Sequence, residues 1–141
     1  MTVALCPHCG QEHETDGCTR SEPSRIGQVL EGKYELLRLI GAGGMGEVYE
    51  ARHRQLRRRV AIKFLRPKYA AEPEFCVRFE NEARAAAALE HENVASVFDV
   101  GKTDDGARYL VMEFLAGEDC AALMARQGTL AEAHAARLAL Q

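Results

Sequence analysis

The stretch that decides the fold is Gly41-Ala42-Gly43-Gly44-Met45-Gly46-Glu47-Val48-Tyr49, with Val60-Ala61-Ile62-Lys63 following it. Its glycines have the G-x-G-x-x-G spacing, which two unrelated architectures share. In a dinucleotide-binding fold the last glycine opens a helix whose N-terminus faces the pyrophosphate. Here the last glycine leads into β-branched and aromatic Val48-Tyr49 and then a further apolar run, so a β-hairpin fits better than a helix. A hairpin turn without side chains can lie over a phosphate chain and donate its N–H groups to it. Each added Cβ would hold the backbone away.

Outward from this turn, Tyr34–Ile40, Glu47–Arg52 and Arg59–Leu65 read as three consecutive antiparallel strands, separated by the glycine cluster and by the polar turn His53–Arg58. Pro73 suits a first helical turn, where its missing N–H has no partner to lose. Phe75, Phe79, Ala83 and Ala86 then recur at helical spacing among Glu80, Glu82 and Arg84, which predicts a helix of about four turns. Val94–Gly101 and Arg108–Phe114 read as strands around the Asp105-Gly106 step, a strong hairpin signal. Beyond Gly117, Cys120–Arg126 and Ala131–Gln141 turn helical, with a break at Gly128-Thr129. The fold class is therefore α+β around one antiparallel sheet.

Strand period 2 puts Ala61 and Lys63 on one face and Val60 and Ile62 on the other. A lysine inside so apolar a strand is costly to bury unless an anion compensates it. Phosphates under the glycine turn would supply that anion, and Glu82 on the following helix could hold the ammonium in place. The plainer reading is a solvent-facing lysine on an edge strand. The glycine turn before it and the helical carboxylate after it favour the first.

Together these segments resemble the N-terminal lobe of a bacterial eukaryote-like serine/threonine protein kinase, whose family signatures include both the glycine loop and the strand lysine. The resemblance runs from about Tyr34 to Gln141. Arg78-Phe79-Glu80-Asn81-Glu82-Ala83 is similar to the family's helix C, and His91-Glu92-Asn93-Val94 to its His-Pro-Asn-Ile turn, with Glu92 in place of proline. Tyr109-Leu110-Val111-Met112-Glu113-Phe114-Leu115 is similar to the strand and hinge that hold adenine. The resemblance implies a five-stranded sheet with helix C, then the first helices of a truncated C-terminal lobe. It implies ATP as the ligand, covered by the loop Ile40, Gly41, Ala42, Gly43, Gly44, Met45, Gly46, Glu47 and Val48. Lys63 would contact the α- and β-phosphates and pair with Glu82 when helix C is swung in. Val48 and Ala61 would pack on adenine, with Met112 behind it. Glu113 and Leu115 would offer main-chain hydrogen bonds, and Asp119 a ribose contact. Glu80 and Glu82 compete for the ion pair, and the register Phe79-x-x-Glu82-Ala83 favours Glu82. Glu80 and the run Arg57-Arg58-Arg59 read as solvated surface charges.

The family's chemistry also needs a His-Arg-Asp catalytic loop and an Asp-Phe-Gly aspartate for magnesium. Neither occurs in this sequence; Phe98-Asp99-Val100-Gly101 has similar letters but falls on a strand. The expectation is the front half of a kinase that acts on protein Ser/Thr hydroxyls, inactive by itself, with magnesium ligands and substrate contacts lying elsewhere. An apolar face with Leu130, Leu138 and Leu140 would then be partly uncovered. The alternative is a non-catalytic nucleotide-binding or zinc-containing regulatory module.

Composition bounds the rest. A net charge of −3 gives no argument for nucleic acid, and no apolar run approaches the ~18 residues of a membrane span. Five cysteines, three of them in the first eighteen residues, and no secretory signal argue against a disulfide scaffold and for a reducing cytoplasm. The expected organisation is a Cys/His segment over 1–19, a linker over 20–30 and the partial kinase domain over 31–141. Cys6-x2-Cys9-x3-His13-x4-Cys18 offers four zinc-type ligands, with His8 as a substitute. The other reading is a tail with free thiols, and zinc content of the purified chain separates the two. Cys76 and Cys120 read as small buried hydrophobes.

Overall fold

Residues 24–42, 46–129 and 131–139 are described by a computed structural model. The strands are β1 (Val29–Leu30), β2 (Tyr34–Ala42), β3 (Gly46–His53), β4 (Arg58–Leu65), β5 (Val97–Lys102) and β6 (Arg108–Glu113). The helices are α1 (Pro67–Ala70), α2 (Pro73–Ala87), α3 (Cys120–Gln127) and α4 (Glu132–Ala139). The strands form one antiparallel sheet in the order β1-β2-β3-β4-β6-β5. The α+β expectation holds, and β4 is a central strand rather than an edge.

Alternation along the strands builds the core on one face. Leu36, Tyr49, Ala51, Val60, Ile62, Phe64, Tyr109 and Val111 are all buried there. Burying each large side chain of this kind contributes about 1.5–3 kcal/mol. A second cluster lies on the opposite face, where Cys76 and Phe79 of α2 pack with Leu65, Tyr69, Ala70 and Leu110. The α2 stripe is Cys76, Phe79 and Ala83, the helix begins with Pro73 in its first turn, and its fifteen residues make about four turns.

Four local expectations need correction. Val29–Leu30, inside the segment read as linker, pair with Glu35 and Tyr34 and add a sixth strand. The turn that allows this, Leu30-Glu31-Gly32-Lys33, has positive φ at both central residues (47° and 68°), which matches the strand twist. A glutamate there is uncommon, so composition did not announce it. The strand expected from Val94 starts at Val97, because the Val94 N–H is spent on His91 O within the His91–Val94 turn. Cys76 is buried as expected, its thiol donating to Ala70 O at 3.3 Å, but Cys120 is exposed at the start of α3. The short α1, begun by Pro67, was not anticipated.

Candidate functional site

Directly opposed residues of an antiparallel pair share a face. Val48 stands opposite Lys63 and Glu50 opposite Ala61 across β3 and β4. Across β4 and β6, Leu110 stands opposite Lys63 and Met112 opposite Ala61. Gly41 of β2 stands opposite Val48. Pairing alone therefore brings Gly41, Val48, Ala61, Lys63 and Met112 onto one face, the same face against which α2 packs through Leu65 and Leu110.

Lys63 is half-buried, and its Cε lies 3.8 Å from where a Cβ on Gly46 would stand, so its stem runs toward the glycine turn. That same Cβ would meet the Phe64 carbonyl oxygen at 2.1 Å, an approach only glycine permits. Gly43, Gly44 and Met45 lie outside the described residues. Of the rest of the loop, Ile40 and Ala42 are exposed, Gly41 is half-buried, and the half-buried Glu47 accepts from the Tyr49 hydroxyl at 2.9 Å.

Lys63 and Glu82 are not brought together. Glu82 is exposed, and among the described residues neither it nor Lys63 forms an ion pair. The carboxylate that α2 commits is Glu80, which pairs with Arg108 at the start of β6 and reaches Arg84 at 3.9 Å. Glu80 is half-buried, not the solvated charge expected of it. At about 100° per residue the two glutamates flank the Cys76–Phe79–Ala83 stripe on opposite sides, Glu80 by about 70° and Glu82 by about 90°.

At the end of β6, the Glu113 N–H donates to Ser96 O at 2.8 Å, and the Glu113 carboxylate accepts from Ser96 N at 3.2 Å. The main-chain group Glu113 can offer a ligand is therefore its carbonyl. Leu115 is 65% exposed, and its backbone lies in the open segment before α3. Asp119 caps α3, accepting from Ala122 N at 2.7 Å, and stays exposed.

Sequence reasoning missed a row of charge beside this patch. Glu50, only 6% exposed, lies on the Val48–Ala61 face. Arg59 Nε donates to its Oε1 at 2.8 Å, and Arg38 Nε stands 2.6 Å from its Oε2. Burial pushes the Glu50 carboxyl up, but the hydrogen bond from Arg59 and the charges of Arg38 and Arg59 outweigh it and hold the group below its ordinary value. The Arg59 guanidinium also lies over the Phe114 ring at 4.0 Å, and Arg58 covers Phe98 at 4.2 Å. Arg58 and Arg59 are thus engaged rather than free surface charges. The missed signal was parity, since Glu50 is two residues from Val48 on one strand.

Among the described residues no three His, Cys, Asp or Glu side chains gather to hold a metal, and no helix is long and apolar enough to cross a membrane. Cys6, Cys9, His13 and Cys18 lie outside the described residues.

The chain matches the family model "Protein kinase domain" over residues 34–141. It is 44% identical over 115 residues to the serine/threonine-protein kinase PknA of Mycobacterium tuberculosis, covering 79% of this chain and 27% of that protein. It is 48% identical over 92 residues to the serine/threonine-protein kinase PrkC of Bacillus subtilis, covering 65% of this chain and 14% of that one. The crystal structure of the Mycobacterium tuberculosis PknI kinase domain superposes with a TM-score of 0.61 at 36% identity, over 72% of this chain and 40% of that chain. The chain thus spans about a quarter or less of the length of these curated relatives.

Proposed function

This chain belongs to the protein kinase domain family, as a portion of a serine/threonine kinase domain, and from that premise we propose that its sheet face binds ATP as the nucleotide half of a protein kinase site. The observation that carries the reading is Lys63, an ammonium on a central strand, aimed beneath Gly46 and without a carboxylate partner among the described residues. A cation so placed is completed by a phosphate chain.

In this reading the backbone of Gly41–Gly46 lies over the phosphates, where a Cβ at Gly46 would already strike β4. Lys63 contacts the α- and β-phosphates. Val48 and Ala61 form the floor for adenine and Met112 its back wall. The Glu113 carbonyl and the Leu115 N–H meet the adenine edge, and Asp119 meets the ribose. Glu82 reaches Lys63 when α2 turns and closes on the sheet, which the exposed position of Glu82 leaves it free to do. Magnesium neutralises phosphate charge in this family, and no three His, Cys, Asp or Glu side chains gather to hold it among the described residues. Transfer of the γ-phosphate to protein Ser or Thr hydroxyls belongs to a protein that also carries the catalytic-loop and magnesium-binding aspartates, neither of whose motifs occurs in this sequence.

The test is nucleotide binding by titration calorimetry or chemical-shift perturbation. Lys63→Ala is expected to weaken ATP binding about tenfold or more, the loss of a charge-assisted phosphate contact. ATP affinity unchanged in that variant would overturn the reading and favour a module whose sheet face serves some other contact.

A further inference from the structure

Resting on the nucleotide site read above, we propose that Glu50, acting through Arg59 on Phe114, is a positioning residue for the adenine end of the site. Glu50 is the one buried charged side chain recorded among the described residues, and no contact with nucleotide requires it there. It sits cross-strand from Ala61 and in the same strand as Val48, the two residues that floor the adenine. Its two oxygens are divided between strands: Oε2 faces Arg38 on β2 at 2.6 Å, and Oε1 accepts from Arg59 on β4 at 2.8 Å. Arg59 carries the arrangement off the sheet, because its guanidinium lies 4.0 Å over the Phe114 ring. Phe114 stands between Glu113 and Leu115, whose main-chain groups meet the adenine edge in that site.

The chain of contacts is therefore Arg38–Glu50–Arg59–Phe114, running across β2, β3 and β4 and ending on the segment that leaves β6. The directional link is the hydrogen bond from Arg59 Nε to Oε1; Arg38 meets Oε2 as an ion pair without hydrogen-bond geometry. A guanidinium fixed by a buried carboxylate has one plane available, and an aromatic ring stacked on that plane loses freedom to tip. Both arginines are more than half exposed on their side chains, so the carboxylate beneath them, not packing around them, is what sets their direction. The phosphate end of the site, at Gly46 and Lys63, lies further along β3 and β4 and shares no hydrogen bond or ion pair with this row among the described residues.

That separation supplies the test. With the purified 141-residue chain, affinities are measured for adenosine, which engages only the adenine and ribose end, and for tripolyphosphate, which engages only the glycine turn and Lys63. Glu50→Gln is expected to weaken adenosine about tenfold while tripolyphosphate changes less than about twofold, as for loss of one charge-assisted bond. Arg38→Gln, which leaves the Arg59–Phe114 stack in place, is expected to weaken adenosine less than Glu50→Gln does. Should Glu50→Gln fail to fold by circular dichroism, Arg59→Lys keeps a cation opposite Glu50 but removes the planar stack, and the same selective loss is expected. Equal losses for adenosine and tripolyphosphate would mean that the row only stabilises the sheet and would overturn the proposal, as would unchanged adenosine affinity. Wild-type chain that binds neither ligand would instead refute the nucleotide site itself, and this proposal with it.

Discussion

At Gly46 and Lys63, two residues contributed by neighbouring strands, the site depends on a missing side chain as much as on a present one. The lysine was legible because an ammonium within Val60-Ala61-Ile62 demands an anion, and the glycine because a side-chain-free turn precedes it. What only coordinates supply is that a Cβ on Gly46 would stand 2.1 Å from the Phe64 carbonyl, a backbone atom that cannot swing aside. Gly46→Ala is therefore expected to destabilise the chain by about 1–3 kcal/mol, read as a lower urea midpoint, because the β3–β4 ladder must shift to admit a methyl. An alanine variant with the wild-type midpoint would show that this approach is not required. Glu50 was not legible for the opposite reason. Its chemistry lies in two arginines 12 residues before and nine after it, whose approach depends on strand register and on the bulges in β2.

Among the elements, α2 shows where pattern suffices and where it stops. Its start at Pro73 and its length follow from the sequence, and periodicity put Phe79 and Ala83 on its buried side, though Cys76 joins them while Phe75 and Ala86 stay half-buried. Its roll on the sheet does not. Periodicity places Glu80 and Glu82 on opposite flanks of the stripe and is silent about which flank finds a partner. In the structure Arg108, half-buried at the start of β6, takes Glu80, and Glu82 is left exposed. Arg108→Ala is expected to cost about 1 kcal/mol or less in global stability, as partly exposed pairs do. It should speed amide exchange in α2 relative to β3 and β4, since α2 loses a tether to the sheet. Exchange in α2 that stays at the wild-type rate would show that Cys76 and Phe79 hold the helix unaided. The strand Val29–Leu30 is a similar case: two residues are too few to show alternation, and the turn that pairs them uses a glutamate at positive φ.

Across the whole molecule, the two ends of the sheet are tied to each other over the core face. The Tyr34 hydroxyl donates to Asp99 of β5 at 3.2 Å, and the Tyr109 hydroxyl donates to Glu31 beside β1 at 2.8 Å. Arg25 joins the same closure, pairing with Asp105 at 3.0 Å and lying over the Phe64 ring at 4.7 Å. These bonds link residues 65 to 80 positions apart. Burial, then the hydrogen bond and charge of Glu31, push the Tyr109 hydroxyl well above its ordinary 10.0, and burial with Asp99 raises Tyr34. A raised acid is held protonated by the fold, so its contribution is complete below pH 10 and is lost as pH rises past that value toward the folded pKa. The urea midpoint is accordingly expected to fall from pH 9 to pH 11. Tyr109→Phe should lower stability by about 1 kcal/mol at pH 8, read as a lower midpoint, and flatten the alkaline decline, leaving the part that belongs to Tyr34. An alkaline decline as steep in the variant as in the wild type would show that the Glu31 bond does not carry it.

The sequence by itself determined five of the six strands, the long helix, the glycine turn and the lysine, because each is written in spacing along a few neighbouring residues. Strand pairing then set Val48 and Met112, named by the family resemblance, beside Ala61 and Lys63, which alternation had put on one face. Only the tertiary structure decided which carboxylate of α2 is engaged, that Glu50 is buried between two arginines, and that Val29–Leu30, in the segment read as linker, pair into the sheet. Those outcomes depend on which distant charges meet at a given register and depth, and local pattern carries no record of that.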